Sequence, residues 1–213
     1  MIKRILIFVF SLSALLTYSQ SDKQFKRWIK ELDTVQSMSS LQRIEQGLTG
    51  MVKEEKKLKQ SLYYASLANL LMAIKSGTTE VDDYCRRADL YLKKLDSLSP
   101  NNSEIHVLLS MSAGIKIGVD PSTRQTKFGA LANKHAERAI ALNSNNPRAY
   151  LIKAKTVMNA PPKLGGGPKF ALKFYEKSLE KFKSFKPLDD TEPDWGEAMA
   201  KTELADCKSK VPK

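Results

Sequence analysis

The chain has 213 residues, 42% hydrophobic and 27% charged, with 35 Lys and Arg against 23 Asp and Glu for a formal charge of +12. A chain of this length makes one domain that buries roughly 70% of its unfolded surface. Beyond the first residues no apolar run approaches the ~18 needed to cross a bilayer, which excludes a transmembrane helix there. The positive balance can draw anionic partners, but an ordinary solvated, Lys-rich helical surface is the favoured reading.

At the N-terminus, Lys3 and Arg4 precede an apolar run from Ile5 to Leu16 broken only by Ser11 and Ser13, and Thr17-Tyr18-Ser19 then supplies small residues. This predicts a secretory signal over 1–19, cut between Ser19 and Gln20, with one helical domain over 20–213. The expected location is the periplasm, in soluble form. No cysteine near the cut offers a lipid anchor, because Cys85 is the first in the chain. Export makes nucleic acid an implausible partner. Cys85 and Cys207 fall on helices far apart in the chain and lack a C-x-x-C neighbour, so both are expected to be free.

In chain order, Ser21-Asp22-Lys23-Gln24 caps a first helix with Phe25, Trp28, Ile29, Leu32 and Val35 at helical spacing. A second starts at Ser39, with Leu41, Ile44, Leu48 and Met51 on one face. It carries Gly47 and Gly50, which weaken a helix but permit close approach of a neighbour. The charged run Lys53 to Lys59 marks a corner. A third helix covers Leu58 to Lys75, with Leu62, Ala65, Leu70, Ala73 and Ile74 as core candidates and Gly77 as the stop. Thr79 is expected to cap a fourth, bearing Tyr84, Ala88, Tyr91, Leu92 and Leu95, and a fifth spans Ser103 to Ile117. Asp120-Pro121 opens a sixth, with Phe128, Leu131, Ala132, Ala136, Ala139 and Ile140 on its core face. Asn146-Pro147 opens a seventh with Tyr150, Leu151, Ala154 and Val157. After a Pro/Gly loop the eighth carries Phe170, Ala171, Phe174, Tyr175, Leu179 and Phe182, and Thr191 or Asp194 is expected to cap a ninth. No alternating strand pattern is present, so the fold class is all-α.

The segments repeat a unit in which a small residue is followed by large ones and a proline: Ala88, Leu92, Leu95 and Pro100, and in part Ala132, Ala136, Ala139 and Ser144. Opening helices pair an aromatic with a small residue four later, as in Tyr64 and Ala68, His106 and Ser110, Tyr150 and Ala154. These matches resemble the tetratricopeptide repeat, which implies antiparallel helix pairs stacked into a right-handed superhelix, with Ala171 and Tyr175 in the same packing. The intervals from Tyr150 to Ala171 and from His106 to Ala132 are longer than the standard unit's, so the pairs are irregular. Glu55-Lys56, Tyr63-Tyr64-Ala65, Asp120-Pro121, Asn146-Pro147-Arg148-Ala149, the Pro162 to Gly167 loop and Pro193-Asp194-Trp195-Gly196 occur in the order of a group of exported tetratricopeptide-like proteins of Gram-negative bacteria. That likeness implies fold and compartment, not a reaction.

No residue set reads as an active site. Gly165, Gly166 and Gly167 before a helix, with Lys169 beside them, could hold an anion, but the phosphate-loop spacing is absent and Pro168 removes a donor. Lys169, Lys173, Lys177 and Lys181 share one helix face that could dock an acidic partner, with Glu176 and Glu180 alongside. His106 and His135 lack metal-ligand spacing, and Ser and Cys lack a nucleophile context. Trp195 can pack against the preceding repeat or contact a ligand. The chain is therefore expected to be a non-enzymatic scaffold for another envelope protein, without cofactor or metal. The alternative is a solute-binding accessory subunit of the transporter-associated tetratricopeptide type, its loops rimming a cavity. A hydrolase built on Asp189 and Asp190 lacks a matched carboxylate.

Overall fold

The computed structural model describes residues 20–211 apart from positions 36 and 78. The secretory segment expected over 1–19 lies outside these residues. Nine α-helices and one 3-10 turn make up the described chain, and no strand occurs among the described residues. They are α1 (20–34), α2 (Met38–Lys53), α3 (Leu58–Lys75), α4 (Val81–Leu98), α5 (Ser103–Ile117), α6 (Pro121–Leu142), α7 (Pro147–Met158), α8 (Pro168–Ser184) and α9 (Glu197–Lys210). No helix among the described residues is long and apolar enough to cross a membrane.

Short polar residues set many of the starts by binding the unpaired first amides of a helix, each such cap worth about 1 kcal/mol. The Asn102 side chain accepts from the Glu104 amide, Asp120 from Ser122 and Thr123, Asn146 from Arg148, and Ser37 from Ser40. Pro121 and Pro147 occupy first helical positions, where no amide is needed. Four starts differ from expectation. Ser21 is already helical and so does not cap α1, and Ser37 rather than Ser39 stands at the start of α2. Glu80, not Thr79, precedes α4, and α9 begins after Gly196 at φ 106° with no side-chain cap from Thr191 or Asp194.

From α2 onward, successive helices pack against one another in chain order, and α3, α5 and α7 also touch in series. These three form an inner row, flanked by α2, α4, α6 and α8. Residues 61–70 of α3 are buried on every side, which is why that helix shows little one-sided patterning. Small side chains lie where backbones approach: Ala88, Ala136, Ala139, Ala154 and Ala171 are fully buried and Ala132 nearly so, beside Leu92, Leu95 and Tyr175. Tyr150 is half-buried.

Several core expectations need correction. Pro100 is exposed in the turn between α4 and α5 rather than packed in a repeat. Ile74, Leu131 and Phe170 are also exposed, at 57%, 37% and 47%. Ile74 sits on the last turn of α3, past the covered stretch. Leu131 and Phe170 each adjoin a small residue, Ala132 and Ala171, that takes the buried position where helices meet.

The chain covers its own inner row. Phe25 of α1 packs edge-on against Tyr64, at 5.9 Å between ring centres. The segment 185–196 crosses the same face as a strap: the Tyr64 hydroxyl donates to the Thr191 carbonyl at 3.1 Å, and the Trp195 indole N–H donates to the Tyr63 hydroxyl at 2.9 Å. Lys26 of α1 pairs with Asp190 of the strap at 2.8 Å.

Candidate functional site

Three polar assemblies stand out, and they differ in whether anything from solvent reaches them. Beneath the strap lies a buried ion pair. Arg148, 2% exposed, grips the Glu104 carboxylate through Nε and Nη2 at 2.9–3.0 Å. The same carboxylate accepts from Tyr63 Oη at 3.0 Å and Asn146 Nδ2 at 2.7 Å. The guanidinium stacks 4.6 Å from the Phe185 ring. Burial and the neighbouring Glu104 charge push the Tyr63 hydroxyl well above its ordinary pKa, so it stays a donor. Every valence of Glu104 has a partner, and this is an organising network rather than an open site.

Between α5 and α6 the two histidines of the chain meet. His106 Nδ1 and His135 Nδ1 are 2.9 Å apart. The ring centres are 5.2 Å apart at an interplanar angle of 26°, so the rings lie edge to edge with the nitrogens head-on, not face to face. One nitrogen donates and the other accepts. Burial holds both rings below the ordinary histidine pKa, and for His135 the neighbouring His106 adds to the effect.

The third assembly is open to solvent. A groove of about 660 Å³ runs between α4 and α6 over the C-terminal end of α5, within the range of small-molecule sites. Its walls carry Asp82, Arg86, Asp89, Leu90 and Lys93 from α4 and Thr123, Arg124, Lys127 and Phe128 from α6, with Lys116 of α5 at its floor. Two ion pairs tie the walls together. Arg124 binds Asp82 with both terminal nitrogens, at 2.6 and 2.8 Å, and Lys116 meets Asp89 at 2.5 Å. The Arg124 guanidinium holds the Asp82 carboxyl below the usual carboxylate range. Both carboxylates are thereby engaged, which leaves the groove with a cationic excess in Arg86, Lys93 and Lys127. Lys127 and Lys116 stand 5.4 and 5.7 Å from the centre of the Phe128 ring. Leu90 faces the groove 56% exposed.

The surfaces expected from sequence fare differently. The Gly165, Gly166 and Gly167 amides donate to the Pro162, Pro161 and Val157 carbonyls at 2.9–3.2 Å, so none is left for an anion. Gly166 lies so close to Ala160 that a side chain would not fit. This loop is a turn that joins α7 to α8. Trp195, offered as ligand surface, is 8% exposed, and the only polar atom of its side chain serves Tyr63. Lys169 and Lys173 are exposed, whereas Lys177 pairs with Glu180 at 2.7 Å and Lys181 donates to Asn145. The row is a partly neutralised outer face.

Cys85 and Cys207 are free and buried, with burial pushing the Cys85 thiol up to about 11. Among the described residues no group of three or more His, Cys, Asp or Glu side chains is placed to hold a metal ion.

No family model matches the sequence, and no curated protein matches it either. A solved structure does. The HusA haemophore from Porphyromonas gingivalis superposes with a TM-score of 0.81 at 28% sequence identity. The likeness covers 90% of this chain and 94% of that one. The fold is shared with a haemophore. The likeness therefore extends over nearly the whole of both proteins rather than over a few generic helix pairs.

Sequence reasoning passed over the groove. Its residues come from three helices and have no common spacing. The one local signal is Leu90, an apolar residue between Arg86 and Lys93 on the face of α4 opposite the buried stripe of Cys85, Ala88, Leu92 and Leu95.

Proposed function

We propose that this protein is a non-catalytic carrier that binds a haem-type tetrapyrrole outside the inner membrane. The observation that carries the reading is the near full-length likeness to a haemophore at 28% identity. An open groove of ligand size, apolar on part of its wall and cationic on the rest, supports it. The reading is nearer to the solute-binding alternative raised from sequence than to the scaffold. A scaffold of stacked helix pairs would present its inner row to a partner, and here α1 and the strap cover the tyrosines of that row. Export through the signal expected over 1–19 belongs to the same reading, as does the tetratricopeptide ancestry of the helix pairs.

The test is a spectroscopic titration of the purified protein with haemin. Saturable perturbation of the Soret band at one ligand per chain is the expected result, accompanied by a rise in the thermal midpoint from preferential binding to the native state. A spectrum identical to haemin in buffer, with no thermal shift, overturns the proposal.

A further inference from the structure

The groove brings together an aromatic ring, an exposed leucine and the cations Arg86, Lys93 and Lys127, of which only Arg86 has a carboxylate contact among the described residues. Resting on the carrier reading, we propose that the groove between α4 and α6 is the tetrapyrrole site, and that it recognises the ligand by its free carboxylates. Phe128 and Leu90 take the apolar macrocycle, and Arg86, Lys93 and Lys127 take the acidic edge.

The assignment follows from how the charges are shared out. Arg124 and Lys116 are fixed by Asp82 and Asp89, and so build the walls instead of binding cargo. Lys93 and Lys127 have no carboxylate partner among the described residues, and Arg86 has only a 3.3 Å contact with Asp83, the two side chains 64% and 75% exposed. Such an exposed pair is worth little and exchanges readily for a better anion. Long cationic side chains lie their stems along apolar surface while the heads stay wet. An apolar plate bearing carboxylates at its rim satisfies both parts of that arrangement. A neutral plate would leave the cations unanswered, and a small hydrophilic anion would leave Leu90 and Phe128 in water.

The test compares haemin with its dimethyl ester, which has the same macrocycle without the free acids, on wild-type protein, on R86Q/K93Q/K127Q and on F128A. The three polar substitutions lie at exposed positions, and their thermal midpoint reports folding. Haemin is expected to bind the triple variant about tenfold more weakly, because exposed charge contacts are individually weak and three are removed together. The ester should bind wild type more weakly than haemin does and be indifferent to the triple substitution. F128A should weaken both ligands. Raising the ionic strength should reduce the affinity for haemin and leave that for the ester unchanged. If wild type binds haemin while the triple variant and F128A bind it equally well, the site is elsewhere and the carrier reading survives. If F128A weakens binding but the ester binds wild type as tightly as haemin, recognition through carboxylates is overturned. If wild type binds neither ligand, the carrier reading itself falls, and the site with it.

Discussion

The head-on contact of His106 and His135 places two titratable groups where only one proton fits between them. A neutral pair, or a pair with one charge, keeps an N–H donor facing a lone pair; a doubly charged pair sets two donors against each other at 2.9 Å. Burial lowers both pKa values. Asp96 pulls His106 back up and Arg138 pushes it down, while His106 and Lys134 push His135 down and Asp89 pulls it up. The folded pKa therefore lies below the unfolded value of about 6.5. The unfolded chain binds more protons in that window, so stability is full above pH 6.5 and is lost as pH falls through the folded values. Thermal unfolding followed from pH 7.5 to pH 5 should show a falling midpoint, and His135→Asn should flatten the fall. Most of the perturbed carboxylates, Asp82, Asp120 and Glu137 among them, are lowered and act further into acid. Asp33 and Glu192 are raised by burial and work in the opposite direction, so the histidine effect is isolated by the variant and not by the wild-type curve alone.

At the scale of the element, close packing explains one glycine and not its neighbour. A Cβ built at Gly47 would overlap the Trp28 ring, whereas one at Gly50 meets nothing within 4 Å. Gly47→Ala gains up to ~1 kcal/mol of helix propensity, but it forces α1 off α2, and overpacking of this kind costs about 1–3 kcal/mol. A net loss of stability is expected in denaturant unfolding, while Gly50→Ala should be neutral or stabilising; equal effects at the two sites would remove the packing argument. Elements like these show how far the sequence can be read. Caps at Asp120 and Asn146 were legible because they act on amides two or three residues away. The start of α9 was not, since Gly196 is positioned by Leu151, Phe182 and Arg148 packing within 3.5 Å of where its side chain would be. The groove escaped for the same reason: Asp82, Lys116 and Phe128 have no relation until three helices are in place. The buried pair was hidden differently, because Glu104 in the first turn of α5 looks like an ordinary response to the helix dipole.

Over the whole molecule, the strap ties the C-terminal part of the chain to α3 through contacts of very long sequence separation. Tyr64 to Thr191 and Tyr63 to Trp195 span 127 and 132 residues, and Trp195 also lies over Arg148. Closure of the inner row and formation of the groove thus depend on different parts of the fold. The strap acts on α1, α3 and α7, and the groove on α4, α5 and α6. Trp195→Ala should cost about 3–5 kcal/mol from the lost ring and the cavity it leaves, with Tyr63 and Arg148 each losing a partner. The loss should be local before it is global: amide hydrogen exchange is expected to quicken in α1 and α3 while α5 and α6 keep their protection. Sites that share no partners act nearly independently. Haemin affinity measured below the unfolding transition should therefore stay within about a factor of two of wild type, because additivity between distant sites holds to a few tenths of a kcal/mol. Loss of haemin binding in a folded Trp195→Ala protein would move the ligand from the outer groove to the space beneath the strap, and would make the strap a lid instead of a brace.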